Sequence, residues 1–205
     1  MKLAKKIQCG VAAGILAATS TATGAAPLLI AEVNAPAVNC VFRTNCILPV
    51  TDSIGPILLN TGLGTARLQS RTFTGTAGTP GTGKTGYLYR VDMTKLSAGA
   101  ECIAGLTINF GPVTKLPYKN GQLSDIFVIT AGGLGTIGPK SADQFGNIIV
   151  FNFSPQLCVG TVASDANTTF FFGLAAATAP VAAKAHLFGT GTPPIIEVDA
   201  RAPTH

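Results

Sequence analysis

Tyr87-Leu88-Tyr89-Arg90-Val91-Asp92-Met93 is the stretch on which the fold assignment turns. In an extended chain successive side chains point to opposite faces, so Tyr87, Tyr89, Val91 and Met93 share one face while Arg90 and Asp92 take the other. That alternation predicts a strand with one buried and one wet side. A helix would scatter the same apolar residues around its axis, because its period is 3.6 rather than 2.

Working outward, Leu106-Thr107-Ile108-Asn109-Phe110 alternates in the same way, and Pro112 just beyond it ends the pairing. Asp125-Ile126-Phe127-Val128-Ile129-Thr130 and Asn147-Ile148-Ile149-Val150-Phe151-Asn152-Phe153 are more continuously apolar, as expected of strands covered on both sides or central in a sheet. Between them, Ala131-Gly132-Gly133-Leu134-Gly135 and Gly138-Pro139 have the chemistry of chain turns. Thr168 to Leu174, Lys184 to Phe188, a weaker Ile195 to Val198, and candidates near Ile57 to Leu59 and Arg67 to Phe73 bring the strands to about nine. Ala175 to Ala185 reads as a connection, interrupted by Pro180. No long amphipathic helix stands out. The expectation is an all-β chain, a single β-sandwich domain of about nine strands.

Lys2, Lys5 and Lys6 followed by an apolar stretch from Ile7 to Ala18 and small residues at Thr23, Gly24 and Ala25 predict a signal peptide over residues 1–25. The apolar run is interrupted by Gln8, Gly10 and Gly14 and is shorter than the roughly 20 residues of a spanning helix. The expected product is a secreted, extracellular or periplasmic domain over residues 26–205 with a proline-rich C-terminal tail and no membrane span. Removing the three lysines lowers the formal net charge from +5 to +2. With no Lys/Arg run interleaved with aromatics, the electrostatic footprint of a nucleic-acid binder is missing.

Export also removes Cys9 and leaves Cys40, Cys46, Cys102 and Cys158, an even number bound for an oxidising compartment. Two disulfides are expected. Four cysteines allow three connectivities, of which Cys40 with Cys46 and Cys102 with Cys158 is preferred. A zinc site would want closer cysteine pairs or added histidines, and outside the signal only His186 and His205 are present.

Four segments, LTINFGPV (Leu106 to Val113), IFVITAGGLG (Ile126 to Gly135), IIVFNFSPQLC (Ile148 to Cys158) and FFFGL (Phe170 to Leu174), together resemble a pattern in uncharacterised secreted bacterial proteins, some of which carry C-terminal surface-sorting tails. The resemblance implies a secreted β domain and no particular function. This chain departs from the tailed members in showing no anchor after Thr192.

Gly78-Thr79-Pro80-Gly81-Thr82-Gly83-Lys84-Thr85 satisfies the G-x-x-x-x-G-K-[ST] phosphate-loop pattern letter by letter. That chemistry needs a buried strand before the loop and a helix after it, so that backbone N–H groups and a helix N-terminus meet the phosphates. Here a polar, threonine-rich segment precedes the string and the Tyr87 strand follows, so the match is read as chance and Lys84 as a solvated loop residue. A nucleophile elbow is missing, and His186 lies in an apolar run that suits a sheet histidine with a local hydrogen bond. Asp125, Asp143, Asp165 and Asp199 are read as turn and edge residues. Asn120 to Asp125 and Asp165 to Asn167 echo calcium loops but lack most of the oxygen ligands, and Asn120-Gly121 suits a tight turn. Asn152-Phe153-Ser154 and Asn167-Thr168-Thr169 match glycosylation acceptors.

The chain is therefore expected to have no cofactor, metal or catalytic residues. It is read as a structural or adhesive module of the cell exterior, self-associating or contacting surface macromolecules. Ile195 to Val198 either pairs with a neighbouring subunit or closes its own sheet. The alternative is a small-ligand or carbohydrate-binding module, in which Tyr87 and Tyr89 stack on a sugar. A nucleotide-binding protein is the distant alternative.

Overall fold

The computed structural model describes residues 24–59, 62–97, 99–159, 167–189 and 195–205. The expected signal peptide lies almost wholly outside the described residues, as does Asp165. In chain order the elements begin with β1 (Ala26–Pro27), β2 (Ile30–Asn34), α1 (Ala35–Phe42), β3 (Thr51–Ile57), β4 (Gly64–Thr74), β5 (Thr85–Leu96) and β6 (Ile103–Asn109). There follow β7 (Leu116–Lys119), β8 (Gln122–Ser124), β9 (Ile126–Ala131), β10 (Pro139–Phe145), β11 (Ile148–Leu157), β12 (Phe171–Ala176), β13 (Pro180–Phe188) and β14 (Ile196–Pro203).

Two six-stranded sheets face each other. The first runs β1-β10-β11-β6-β13-β14, the second β2-β9-β12-β5-β4-β3, and β7 and β8 form a separate hairpin. All ladders are antiparallel except β2 on β9. The core between the sheets takes alternate residues of each strand: Tyr87, Tyr89, Val91 and Met93 of β5, Leu106 and Ile108 of β6, Phe151 and Phe153 of β11, Phe172 and Leu174 of β12. Phe172 lies at its centre, its ring 4.9 Å from Phe151 and 5.8 Å from Phe153. Burial on this scale, at about 25 cal/mol per Å² of apolar surface, is the main force holding the sheets together.

The all-β sandwich and both preferred disulfides, Cys40–Cys46 and Cys102–Cys158, are present. The described residues form fourteen strands rather than about nine. The excess comes from short segments with little internal pattern, such as β1, β7 and β8, and from β2 and β10. Ala175 to Ala185 is not a connection: its two ends belong to β12 and β13, with Ala175, Ala176 and Ala185 buried. Small side chains let backbones approach closely there, and Pro180 is accommodated as the first residue of its strand.

The chain joins the two sheets at both open sides of the sandwich. At one side the chain passes from β1 in the first sheet to β2 in the second: Leu28 N–H donates to Ala142 O, and Leu29 O accepts from the N–H groups of Asp125 and Ile126. Buried Asp125 completes this crossing by accepting from Leu29 N–H at 2.9 Å. At the other side β3 packs on β14 so closely that a Cβ on Gly55 would sit 2.8 Å from Val198 Cγ2. β14 pairs with β13 from Ile196 to Pro203 and buries Val198, Ala200 and Ala202 in the core. Ile195 to Val198 thus closes its own sheet.

The two sheets differ in what covers their outer faces. The first is open to water, so Ile149, Phe151 and Phe153 of β11 are buried while Ile148 is exposed and Val150 only half-buried. Of the two expectations for this strand, cover on both faces fails for that reason, while a place inside the sheet holds, β11 lying between β10 and β6. It holds for β9, where Ile126 and Val128 face the core and Phe127 and Ile129 face a second apolar layer under α1 and the β7–β8 hairpin.

Candidate functional site

The second apolar layer begins with α1, whose eight residues Ala-Pro-Ala-Val-Asn-Cys-Val-Phe would be a marginal helix in isolation. Asn34 caps its N-terminus, Oδ1 accepting from Ala37 N–H at 2.8 Å, and Pro36 occupies a first-turn position where no N–H is needed. Val38, Val41 and Phe42 are buried on the sheet, and Phe42 meets Phe73 edge-on at 4.7 Å. At its other end the Val41 and Phe42 carbonyls accept from the N–H groups of Gly81 and Thr76. Those donors come from the β4–β5 hairpin loop, so Gly81, inside the string that imitates a phosphate loop, and Thr76 just before it together cap α1.

The local geometry explains the imitation. Thr79 and Thr82 hydroxyls donate to carbonyls of Thr76 and Thr79, Lys84 N–H donates to Gly81 O, and β5 follows directly. Several backbone donors are therefore already engaged, and the required helix N-terminus is replaced by a strand. Glycine is needed at position 81 because a Cβ there would lie 2.6 Å from the Phe42 ring.

Beyond α1 the disulfide Cys40–Cys46 ties down the segment carrying Leu48 and Val50. Between this segment and the Gly132-Gly133-Leu134 turn, a groove of about 320 Å³ opens over the outer face of the second sheet, narrow enough that the sheet residues beneath it remain largely buried. Four adjacent strands make its floor: Phe73 and Arg71 from β4, Leu88 from β5, Phe171 from β12 and Ile129 from β9. Ala35, Val38 and Asn39 of α1, with Leu48 and Val50, form one wall, and the 132–134 turn forms the other. On the rim, Val50 is 41% and Leu134 58% exposed.

Arg71 is the charged residue of the lining. Its guanidinium lies 4.5 Å from the centre of the Phe171 ring and pairs with Asp52 on β3, Nε at 2.6 Å and Nη2 at 3.3 Å. Neighbouring positions extend this into a lattice. Arg67 donates to Asp92 Oδ2 through Nε at 3.1 Å and Nη2 at 2.8 Å, while Arg90 approaches the same oxygen at 3.5 Å. Thr94 donates to Asp92 Oδ1 through both its N–H and its hydroxyl. Burial alone pushes the Asp92 carboxyl up, but the Thr94 hydrogen bonds and the two arginines outweigh it and hold the pKa below the usual value. Burial, reinforced by repulsion from Arg67 and Arg71, lowers Arg90 despite the attraction of Asp92.

The wet side expected for β5 is therefore not wet. Arg90 is 8% exposed, and Asp92 is buried with it. β4 and β12 flank β5, and Arg67 and Phe171 pack against the two charged groups, Phe171 within cation–π range of Arg90 at 5.8 Å.

The other candidate residues do not converge. His186 is on the outer face of the first sheet with Nε2 3.7 Å from Glu197, and Asp199 pairs with Lys184 at 2.8 Å. Asp143 is a strand residue of β10, and Asp125 anchors the sheet crossing. Asn120 and Gly121 both have positive φ, as a tight hairpin turn between β7 and β8 requires. Of the glycosylation acceptors, Asn152 donates to Ser141 Oγ at 3.3 Å and Asn167 O accepts from Met93 N–H. Tyr87 and Tyr89 are fully buried, their hydroxyls donating to Thr178 O and Arg201 O, so neither can stack on a sugar. Burial pushes the Tyr87 hydroxyl up to about 12 and that of Tyr89 well above its usual value. Among the described residues no three His, Cys, Asp or Glu side chains gather to hold a metal ion, and no helix is long and apolar enough to cross a membrane.

The groove itself escaped sequence reasoning because α1 did. The signal for α1 was Asn34 followed by Pro36, a cap and a first-turn proline, in a segment too short for a helical period to show. Comparison with protein-family models, curated proteins and solved structures finds no match to this chain.

Proposed function

We propose that this chain is an exported, non-catalytic binding module that acts outside the cytoplasm through the groove on the outer face of its second sheet. The observation that carries the reading is the groove: an apolar floor built by four strands, walled on two sides, with Val50 and Leu134 left in water at its rim. An open apolar recess with few polar groups is the usual form of a ligand site. Export is supported by the leader-like first 25 residues, by the resemblance to secreted bacterial proteins and by two disulfides.

A purely structural or polymerising building block draws less support, since the β1–β2 crossing and the packing of β3 on β14 shield part of the sides through which sandwiches join edge to edge. The test is retention. Purified protein spanning residues 26–205 is incubated with envelopes of the producing cells and sedimented, beside Leu134→Asp, a rim substitution that leaves the core intact. Sedimentation of the wild type, with the variant remaining in the supernatant, supports the reading. Equal behaviour of the two removes the groove as the contact surface.

A further inference from the structure

The groove lining has an asymmetry that narrows the chemistry of its occupant. Of its side chains Arg71 carries the charge and Asn39 is the uncharged polar one; the rest are apolar or glycine. Arg71 engages Asp52 through Nε and Nη2, while Nη1 has no acceptor among the described residues. Its neighbours on this face, Arg67 and Arg90, raise the arginines to three against the carboxylates of Asp52 and Asp92, so the field at the end of an apolar trough is positive.

We propose that the groove binds a small aliphatic carboxylate of the medium-chain fatty-acid class, with its chain along Phe73, Leu88 and Ile129 and its carboxylate on the Arg71 guanidinium. The assignment rests on the reading of the groove as a binding site and names its ligand. Three features select this chemistry. An aromatic ligand would want the Phe171 face, which Arg71 covers at 4.5 Å. A sugar would bring several hydroxyls to a lining with two polar side chains and leave them unpaired on desolvation. The volume of about 320 Å³ lies at the lower end for ligand pockets, which suits a small ligand rather than a protein segment.

Asp52 is the internal competitor. It sits across from Arg71 in the β3–β4 register and holds the same guanidinium that the ligand would use. With Asp52 on Nε and Nη2 and the ligand carboxylate on Nη1, two anions share one guanidinium and repel each other, so removing the Asp52 charge strengthens binding, the opposite of what loss of a merely structural ion pair would do.

The experiment is a calorimetric titration of the protein spanning residues 26–205 with octanoate, 1-octanol and octyltrimethylammonium, each below its aggregation limit. Octanoate is expected to saturate one site, octanol to bind about tenfold more weakly, and the cation not to bind. Arg71→Gln should weaken octanoate about tenfold and leave octanol unchanged, while Asp52→Asn should tighten octanoate severalfold. Absence of saturable octanoate binding by folded wild type, equal binding of the cation, or weaker octanoate binding by Asp52→Asn overturns the assignment. Groove-dependent envelope retention without octanoate binding would refute this ligand and leave the binding reading standing; octanoate binding without such retention would uphold the ligand and remove the cell envelope as the groove's partner.

Discussion

Replacing Asp92 by asparagine removes the one negative charge that faces Arg90. Asp92 has 5% of its side chain exposed and Arg90 9%, so the substitution leaves a buried guanidinium without a counter-charge. Breaking a buried pair from one side costs about 3 kcal/mol or somewhat more. Arg67, at 43% exposed, turns to water and adds little. The expected loss near neutral pH is thus about 3 kcal/mol, which at a urea slope of about 2 kcal/mol per molar moves the unfolding midpoint by about 1.5 M.

The pH dependence supplies a second, independent reading of the same pair. The Asp92 pKa is lowered by folding, so its contribution is fully present above the ordinary carboxylate value of about 4 and is lost as pH falls through the folded value. The gap between wild type and Asp92→Asn should therefore close as the pH is lowered below about 4, because the wild type comes to carry a neutral group at the same place. Urea unfolding near pH 7 and near pH 3, followed by circular dichroism, measures both quantities. A loss under about 1 kcal/mol at neutral pH, or a gap that stays constant into acid, would refute the account of the lattice. Substituting both partners, Asp92→Leu with Arg90→Met, should recover most of the loss, since an apolar pair of similar volume needs no compensation.

The disulfides should differ in weight: replacing Cys102 and Cys158, 56 positions apart, by alanine should cost about 4 kcal/mol by loop-closure entropy, and replacing Cys40 and Cys46, 6 apart, about 2 kcal/mol, both measured by denaturant unfolding. Intact-mass measurement with an alkylating agent should find no free thiol before reduction in protein spanning residues 26–205. Deleting residues 195–205 should abolish cooperative unfolding rather than dissolve a multimer, because β14 buries Val198, Ala200 and Ala202; a truncated chain with an unchanged thermal midpoint would contradict that. Lys84→Ala should leave stability unchanged and confer or remove no nucleotide binding in a calorimetric titration, since its neighbours Gly81 and Thr76 act as caps for α1 and Lys84 itself has no such partner role beyond its backbone.

The period-2 pattern of Tyr87 to Met93 determined, without any coordinates, that the chain is β and which residues of that strand face the core, because alternation is a property of a single extended strand. Leu106 to Phe110 did the same for β6. The cysteine count limited the pairings to three, and the strand pattern directly after Gly78 to Thr85 argued against a strand–loop–helix phosphate site, again from local information; the strand that precedes the loop, β4, reads there as a polar segment. What lies outside a strand's second face is not local. Asn147 to Phe153 and Asp125 to Thr130 look alike as sequences, yet one sheet's outer face meets water and the other's meets α1 and the β7–β8 hairpin. The burial of Arg90 and Asp92, the loss of Tyr87 and Tyr89 as ligand platforms, and the groove beside Arg71 all follow from that placement. They were decided only when strands far apart in the chain, β3 to β5, β9 and β12, came side by side under a helix held in place by Asn34, a disulfide and the backbone of a distant hairpin loop.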